Sequence, residues 1–465
     1  MLRNFLILFF ILGSLNSSAQ DFKLELVGQW TTDSLPDLKG QRFNDIWGWE
    51  DEQGREYVIM GSIGATYFID VTFPENPVVC DIEPGQYDSC IHRDFKTYGQ
   101  YCYGVADQGS STLQIFDLSY LPDSVHKVYD SDELTRLSHN IFIENGKAFL
   151  ATNNHVDWGR IPMTVLDLTK YPENPTAINH LPRLVIDDET LFTHVHDVFV
   201  RNDTAYCSNG SGGLFIYDVS NKVVRGPRLL GQLTEYIDQG YNHASWLTDD
   251  GNYLVMADET HGMRLKMVDV TDLSELEVVG TFGSNADKGS IPHNPFVIGD
   301  KCFVSYYHDG LVVFDISNPE DVFIADAFDT YPNNADTVYN GYEGCWGVYP
   351  FFSSGLIAAS DMTHGLFLFN TLNWENPLVS KQSEPNQINA QLNDNQLKVQ
   401  FKEAYNGEIG VNVYSIKGQQ IQETLVDFKG RYFAQEIVGL DKGVYVIVIS
   451  TEFGVETIKT VKYSE

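Results

Sequence analysis

A tripeptide of Asp, then Val, Leu or Ile, then Ser or Thr closes an apolar run six times in this chain, about every fifty residues. The copies are Asp70-Val71-Thr72, Asp117-Leu118-Ser119, Asp167-Leu168-Thr169, Asp218-Val219-Ser220, Asp269-Val270-Thr271 and Asp315-Ile316-Ser317, with Asn370-Thr371-Leu372 as a degraded seventh. A period in this range builds stacked or radial copies of one small β unit, so it limits the architecture before any single side chain is interpreted.

Aligned backwards from the Asp, the copies share a second position, a His followed three residues later by Phe or Trp. They are His92/Phe95, His139/Phe142, His196/Phe199, His243/Trp246 and His293/Phe296, with Asn44/Trp47 in the first copy and Glu343/Trp346 in the last. Between the two anchors each copy reads as three strands separated by turns rich in Gly, Asn and Asp. A fourth strand follows the Asp, as in Leu276 to Phe282. Four antiparallel strands repeated seven times predict an all-β chain with a seven-bladed β-propeller. Leu24 to Trp30 repeats that outer strand ahead of the first inner one, and is expected to complete the last blade from the other end of the chain; Asn376 to Ser380 competes for the place. The repeated Asp is read as turn chemistry, accepting backbone N–H groups where its strand stops. The repeated Phe or Trp is read as packing between blades.

Residues 1–19 have the form of a secretory signal: Arg3, an apolar run from Phe5 to Leu12, and Ser17-Ser18-Ala19 before Gln20. That run is too short to span a bilayer, and no other segment holds the ~20 apolar residues a membrane helix needs. The chain is therefore expected to be exported, without a transmembrane segment, as a monomer. Its 64 acidic against 30 basic residues give a net charge of −34. That balance argues against nucleic acid and anionic membranes and favours cations. From Ile388 onward the count is eight basic to ten acidic, so the acidity belongs to the part before. The expected division is a propeller over 20–381, a polar linker over 382–393 containing Pro385, and a small antiparallel β-sandwich over 394–465. Six cysteines are too few for a disulfide-built fold. Cys80 and Cys90 are the expected pair; Cys102, Cys207 and Cys302 lie in apolar strands as buried thiols.

Asn44-Asp-Ile-Trp-Gly48, Phe95-Lys-Thr-Tyr-Gly99, Ser138-His-Asn-Ile-Phe142 and Gly344-Cys-Trp-Gly-Val-Tyr-Pro-Phe351, with Ser360-Asp361 and Gly365-Leu366, resemble the choice-of-anchor B propellers built from LVIVD-type repeats, over roughly residues 24–375. The resemblance implies a propeller with a variable C-terminal anchor and no particular catalytic mechanism. Val411 to Gly418, Gly439 to Tyr445 and Lys459 to Lys462 are similar to the C-terminal sorting domain of type IX secretion. This second resemblance implies a Bacteroidetes-type cell, export by the type IX machinery and release or attachment at the cell surface.

In a propeller the inner strand lines the central channel. His92, His139, His196, His243 and His293 open those strands, so they are expected in an arc at one channel mouth, with Asn44 and Glu343 completing the circle. His155, His261, His308 and His364 lie in turns expected on the same face. Imidazole with a carboxylate suits a transition metal. Three or four ligands drawn from the ring histidines and Glu343 would hold one ion, because the channel is expected to be too wide for all to reach it. The other reading makes each His a repeated structural device bonded to a neighbouring blade's backbone. No H-E-x-x-H, G-x-S-x-G, C-x-x-C, phosphate loop or EF-hand loop occurs. Two functions fit these features: a surface or secreted module binding a protein or glycan, towards which the missing catalytic motif tips the balance, and a metal-dependent enzyme at the channel mouth. Histidines that converge favour the second, and splayed, backbone-bonded ones the first.

Overall fold

The computed structural model describes residues 22–462 apart from 182–183, 187–188, 193, 221–226, 333–337, 375, 378–387, 394–395, 416–419, 439, 441–442 and 452–453. The expected export signal lies outside the described residues. The chain divides into two compact units, Met1–Leu378 and Val379–Glu465.

In the first unit the apolar runs pair into seven four-stranded antiparallel sheets. Their innermost strands are Phe43–Glu50, Arg93–Tyr98, Asn140–Glu144, Asp197–Arg201, Asn242–Leu247, Pro295–Ile298 and Cys345–Tyr349. Each blade's inner edge packs on the next, and the seventh packs on the first, which closes the ring of a β-propeller. Lys23–Trp30 pairs antiparallel with Gly365–Leu372, so the last blade takes its outer strand from the start of the chain. Its sequence competitor, 376–380, falls partly outside the described residues. The 57-residue interval between His139 and His196 is long because a hairpin, Leu184–Ile186 with Glu189–Phe192, is inserted there.

The repeated Asp acts as expected at all six complete copies. The N–H two residues on donates to its Oδ1 at 2.8–3.0 Å, as from Thr72 to Asp70, Ser119 to Asp117, Thr169 to Asp167 and Ser220 to Asp218. A further lock joins blades: a Cβ on the outer-strand glycines Gly28, Gly231 or Gly280 would overlap the carbonyl oxygen of Pro74, Leu273 or Pro319. Each of those carbonyls lies four residues after the repeated Asp of the next blade.

Three expectations about the fold need correction. The repeated aromatics do not pack only between neighbouring blades: Trp346 lies against the ring histidines, and others reach across the channel, where Phe351 joins them. Phe142 meets Trp246 at 6.0 Å, Trp246 meets Phe351 at 5.4 Å and Trp47 meets Phe296 at 6.3 Å between ring centroids, contacts that skip a blade and plug the channel. The expected contacts between neighbouring blades are present too: Phe142 meets Phe199 at 5.3 Å, Phe199 meets Trp246 at 4.7 Å, Trp246 meets Phe296 at 4.9 Å, and Phe95 is buried with Tyr57 and Phe68 of the first blade and Phe116 of its own. The expected linker is shorter, because Ile388–Asn393, with its Ile-x-Ala-x-Leu alternation, forms a strand on Gln396–Ser415. Cys80 and Cys90 are free thiols: Cys80 Sγ faces the Val78 carbonyl at 3.7 Å, and buried Cys90 donates to the His92 carbonyl at 2.9 Å.

Among the described residues the second unit is one five-stranded antiparallel sheet, where a two-layer sandwich was expected. Gln396–Ser415 pairs along its length with Gln420–Glu436, and flanking strands cover Ile388–Asn393, Gly443–Thr451 and Gly454–Lys462. A register break between Gln400 and Tyr405 interrupts the long strands, and Val399, Phe401, Ile409, Val411, Phe433 and Ile447 share one core.

Candidate metal centre

The five repeated histidines converge. Successive ring centroids from His92 through His139, His196 and His243 to His293 are 4.0, 4.1, 4.2 and 4.3 Å apart. Adjacent imidazoles are close enough to touch, and ligand atoms gather in groups of three, not as one set drawn from the whole ring.

Trp346 closes the arc, 5.2 Å from His293 and 5.6 Å from His92. It takes the histidine place in the seventh blade because a β-bulge between Cys345 and Gly347 turns it into the channel, as a bulge between Asn242 and Ala244 does for His243. Glu343, three residues earlier, is not a ring member: it is exposed and accepts from the Tyr331 hydroxyl at 2.9 Å. Asn44 is buried in the first blade, but its amide donates to the Cys90 carbonyl at 3.4 Å instead of facing the ring.

Two carboxylates that the repeat did not single out reach the ring instead. Glu259 Oε2 lies 3.8 Å from His243 Nε2 and its Oε1 3.9 Å from His293 Nε2, while Oε1 accepts from the Tyr307 hydroxyl at 2.6 Å. Asp107 Oδ2 accepts from His139 Nδ1 at 2.7 Å. Each is the first residue after the second strand of its blade, Tyr101–Ala106 or Tyr253–Asp258. One ligand atom each from His196, His243 and Glu259 lie within 4.8 Å of one another, and the same holds for His92, Asp107 and His139.

The electrostatics favour ligation over charge. Burial, helped by neighbouring imidazoles, lowers His92 to about 4 and pushes His196 and His243 well below the ordinary histidine value. Burial lowers His293 to about 3. These imidazoles are neutral at pH 7, with lone pairs to offer. His139 and His293 are oriented from behind, because Nδ1 of His293 donates to the Trp346 carbonyl at 2.5 Å and that of His139 to Asp107, which leaves each Nε2 as the acceptor. The buried Nδ1 atoms of His92, His196 and His243 have no hydrogen-bond partner among the described residues. Burial raises Glu259 to about 7.

His139 and His196 also line an open bowl of about 760 Å³ with Asp107, Thr152, Arg160, His194 and Tyr241. A second hollow of about 550 Å³ meets the ring at Glu259 and Trp346, with Tyr307, Tyr331, Tyr342 and Glu343 in its wall. Beneath the imidazoles a chamber of about 40 Å³ ends on the aromatic plug and holds Asp45, Asp94, Lys96 and Asp197. Lys96 donates to Asp94 at 2.9 Å; burial raises Asp197 to about 7.

The four turn histidines are held locally. His155 stacks on Trp158, His308 on Tyr339, His261 Nδ1 donates to the Gly289 carbonyl at 2.8 Å, and His364 Nδ1 to Asp361 at 3.1 Å. None belongs to the ring.

The LVIVD repeat model matches residues 193–224 and 296–330, consistent with a propeller built from repeats of that type. No curated protein matches the chain. Among solved structures it is similar to the computationally designed Ika8 protein, at 11% identity over 81% of this chain and 96% of that one, with a TM-score of 0.43. It is also similar to a chain of the COPII outer coat vertex on membranes, at 10% identity over 84% of this chain and 99% of that one, with a TM-score of 0.49.

Proposed function

We propose that this chain is an exported propeller of the choice-of-anchor B type that holds a transition-metal ion at its channel mouth and acts on a small ligand in the bowl above. His196, His243 and Glu259 bind the ion, with His293 Nε2 beside them. The observation that carries this is the setting of Glu259, a buried carboxylate whose neighbours are two imidazole Nε2 atoms and one tyrosine hydroxyl. A buried negative charge without a cation is costly, and a divalent ion among these N and O donors removes the cost. Convergence of the histidines moves the balance from the binding module to metal chemistry. Binding of a protein or glycan partner stands as the second reading, favoured by the exposed Tyr342 in the tyrosine wall beside Glu259.

Delivery rests on the sequence: a signal over 1–19, and a C-terminal sorting domain read by the type IX machinery, leave the propeller secreted or attached at the cell surface. Elemental analysis of protein purified without a histidine tag tests the metal. About one ion or more per chain is expected, and less than about 0.2 per chain, unchanged after loading and desalting, overturns the reading.

A further inference from the structure

Asp107 has no part in the ion site at Glu259, yet it sits at the equivalent point of its own blade and carries a second carboxylate to the ring. Its Oδ2 is taken by His139, while its Oδ1 is buried without a partner among the described residues. So is Nδ1 of His92, whose ring stacks on His139 at 4.0 Å and 12°. A buried carboxylate oxygen and a buried imidazole nitrogen that both lack partners are each costly, and one cation satisfies both. One donor atom from each of His92, Asp107 and His139 lies within 4.8 Å of the others, as in the Glu259 triad.

We infer that the ring holds two divalent cations of the zinc class, one on His196, His243 and Glu259 and one on His92, His139 and Asp107. The inference rests on the metal reading above and adds a second ion to it. Two imidazoles and a carboxylate form a recurrent donor set for such ions and leave a coordination position open. His139 and His196, 4.1 Å apart, join the triads, and both face the 760 Å³ bowl that Asp107 also lines. The two ions would be neighbours under a single ligand, the arrangement of two-metal sites.

The test is zinc stoichiometry on the full chain, stripped with chelator and followed by calorimetry and by elemental analysis after desalting. Two ions are expected for the wild type, one for Asp107→Ala and one for Glu259→Ala. Asp107→Asn is measured alongside in case the alanine variant does not fold, and circular dichroism in chelator checks each variant. One ion in the wild type that survives both Asp107 substitutions overturns the second cation and leaves the Glu259 site intact. One ion lost only with Asp107 overturns the pair and the Glu259 assignment. No ion in the wild type overturns both readings.

Discussion

Glu259 Oε2 lies 3.8 Å from Nε2 of His243, an imidazole that burial keeps neutral, and burial of the carboxyl itself makes it hold its proton up to about pH 7. The folded value is raised above the ordinary 4.5, so the folded state binds the proton more tightly than the unfolded chain does. That contribution is present at low pH and is lost as pH rises through about 7. In chelator, wild type and Glu259→Gln should melt alike near pH 4, below the ordinary carboxyl value. Near pH 8 the Gln variant should be the more stable, by on the order of 3 kcal/mol at most. Melting curves at the two pH values check this; a Gln variant less stable at pH 8 would contradict it.

The plug makes a different demand. Trp246 touches Phe199 at 4.7 Å, Phe296 at 4.9 Å and Phe351 at 5.4 Å, so it ties the inner strands of several blades across the channel. Trp246 is half-buried, so Trp246→Ala should cost about 2–3 kcal/mol, below the usual range for a fully buried aromatic. Urea unfolding measures the loss. A cost below about 1 kcal/mol would mean that the blades close without the plug.

Blade number, closure by Leu24 to Trp30 and the role of the repeated Asp could all be read from the chain, because each depends on local chemistry that recurs at fixed spacing. The histidine arc was legible for the same reason. Glu259 and Asp107 were not, since they occupy turns whose other residues differ, and Asp258-Glu259-Thr260-His261 drew attention to its histidine. The last blade misled through its bulge: Trp346 follows His293 by 53 residues, and counting by fifty lands on Glu343. Strand alternation places side chains on one face or the other, but a bulge moves the register by one and redirects the side chains beyond it. The plug escaped because sequence spacing does not say how close seven strands come at the axis.

The glycine locks predict a backbone effect far from the ring. At Gly231 a Cβ would overlap the Leu273 carbonyl oxygen, and backbone on both sides leaves little room to yield. Gly231→Ala should therefore destabilise the propeller by several kcal/mol or block its folding, whereas Gly54→Ala, which meets nothing within 4 Å, should cost far less. Because Gly54 has φ 74°, some strain cost is expected there too. Similar soluble yield and melting temperature for both variants would remove the lock from the account.

The turn acids give the last test, chosen where ring chemistry cannot interfere. Asp269 accepts from the Thr271 hydroxyl at 2.7 Å and from its N–H at 2.9 Å, and these bonds hold its carboxyl below the ordinary 3.8. A depressed folded value means that the stabilisation is present above about pH 4 and is lost as pH falls through the lower, folded value. Asp269→Ala removes the acceptor and should cost about 1 kcal/mol at pH 7. Asp269→Asn keeps an acceptor oxygen but no charge, so it should cost less at pH 7 and its deficit should shrink in acid as the wild-type carboxyl takes up its proton. Chemical denaturation of the three proteins at pH 7 and near pH 3 separates these contributions. A deficit for the Asn variant that is as large near pH 3 as at pH 7 would show that shape, and not charge, decides the turn.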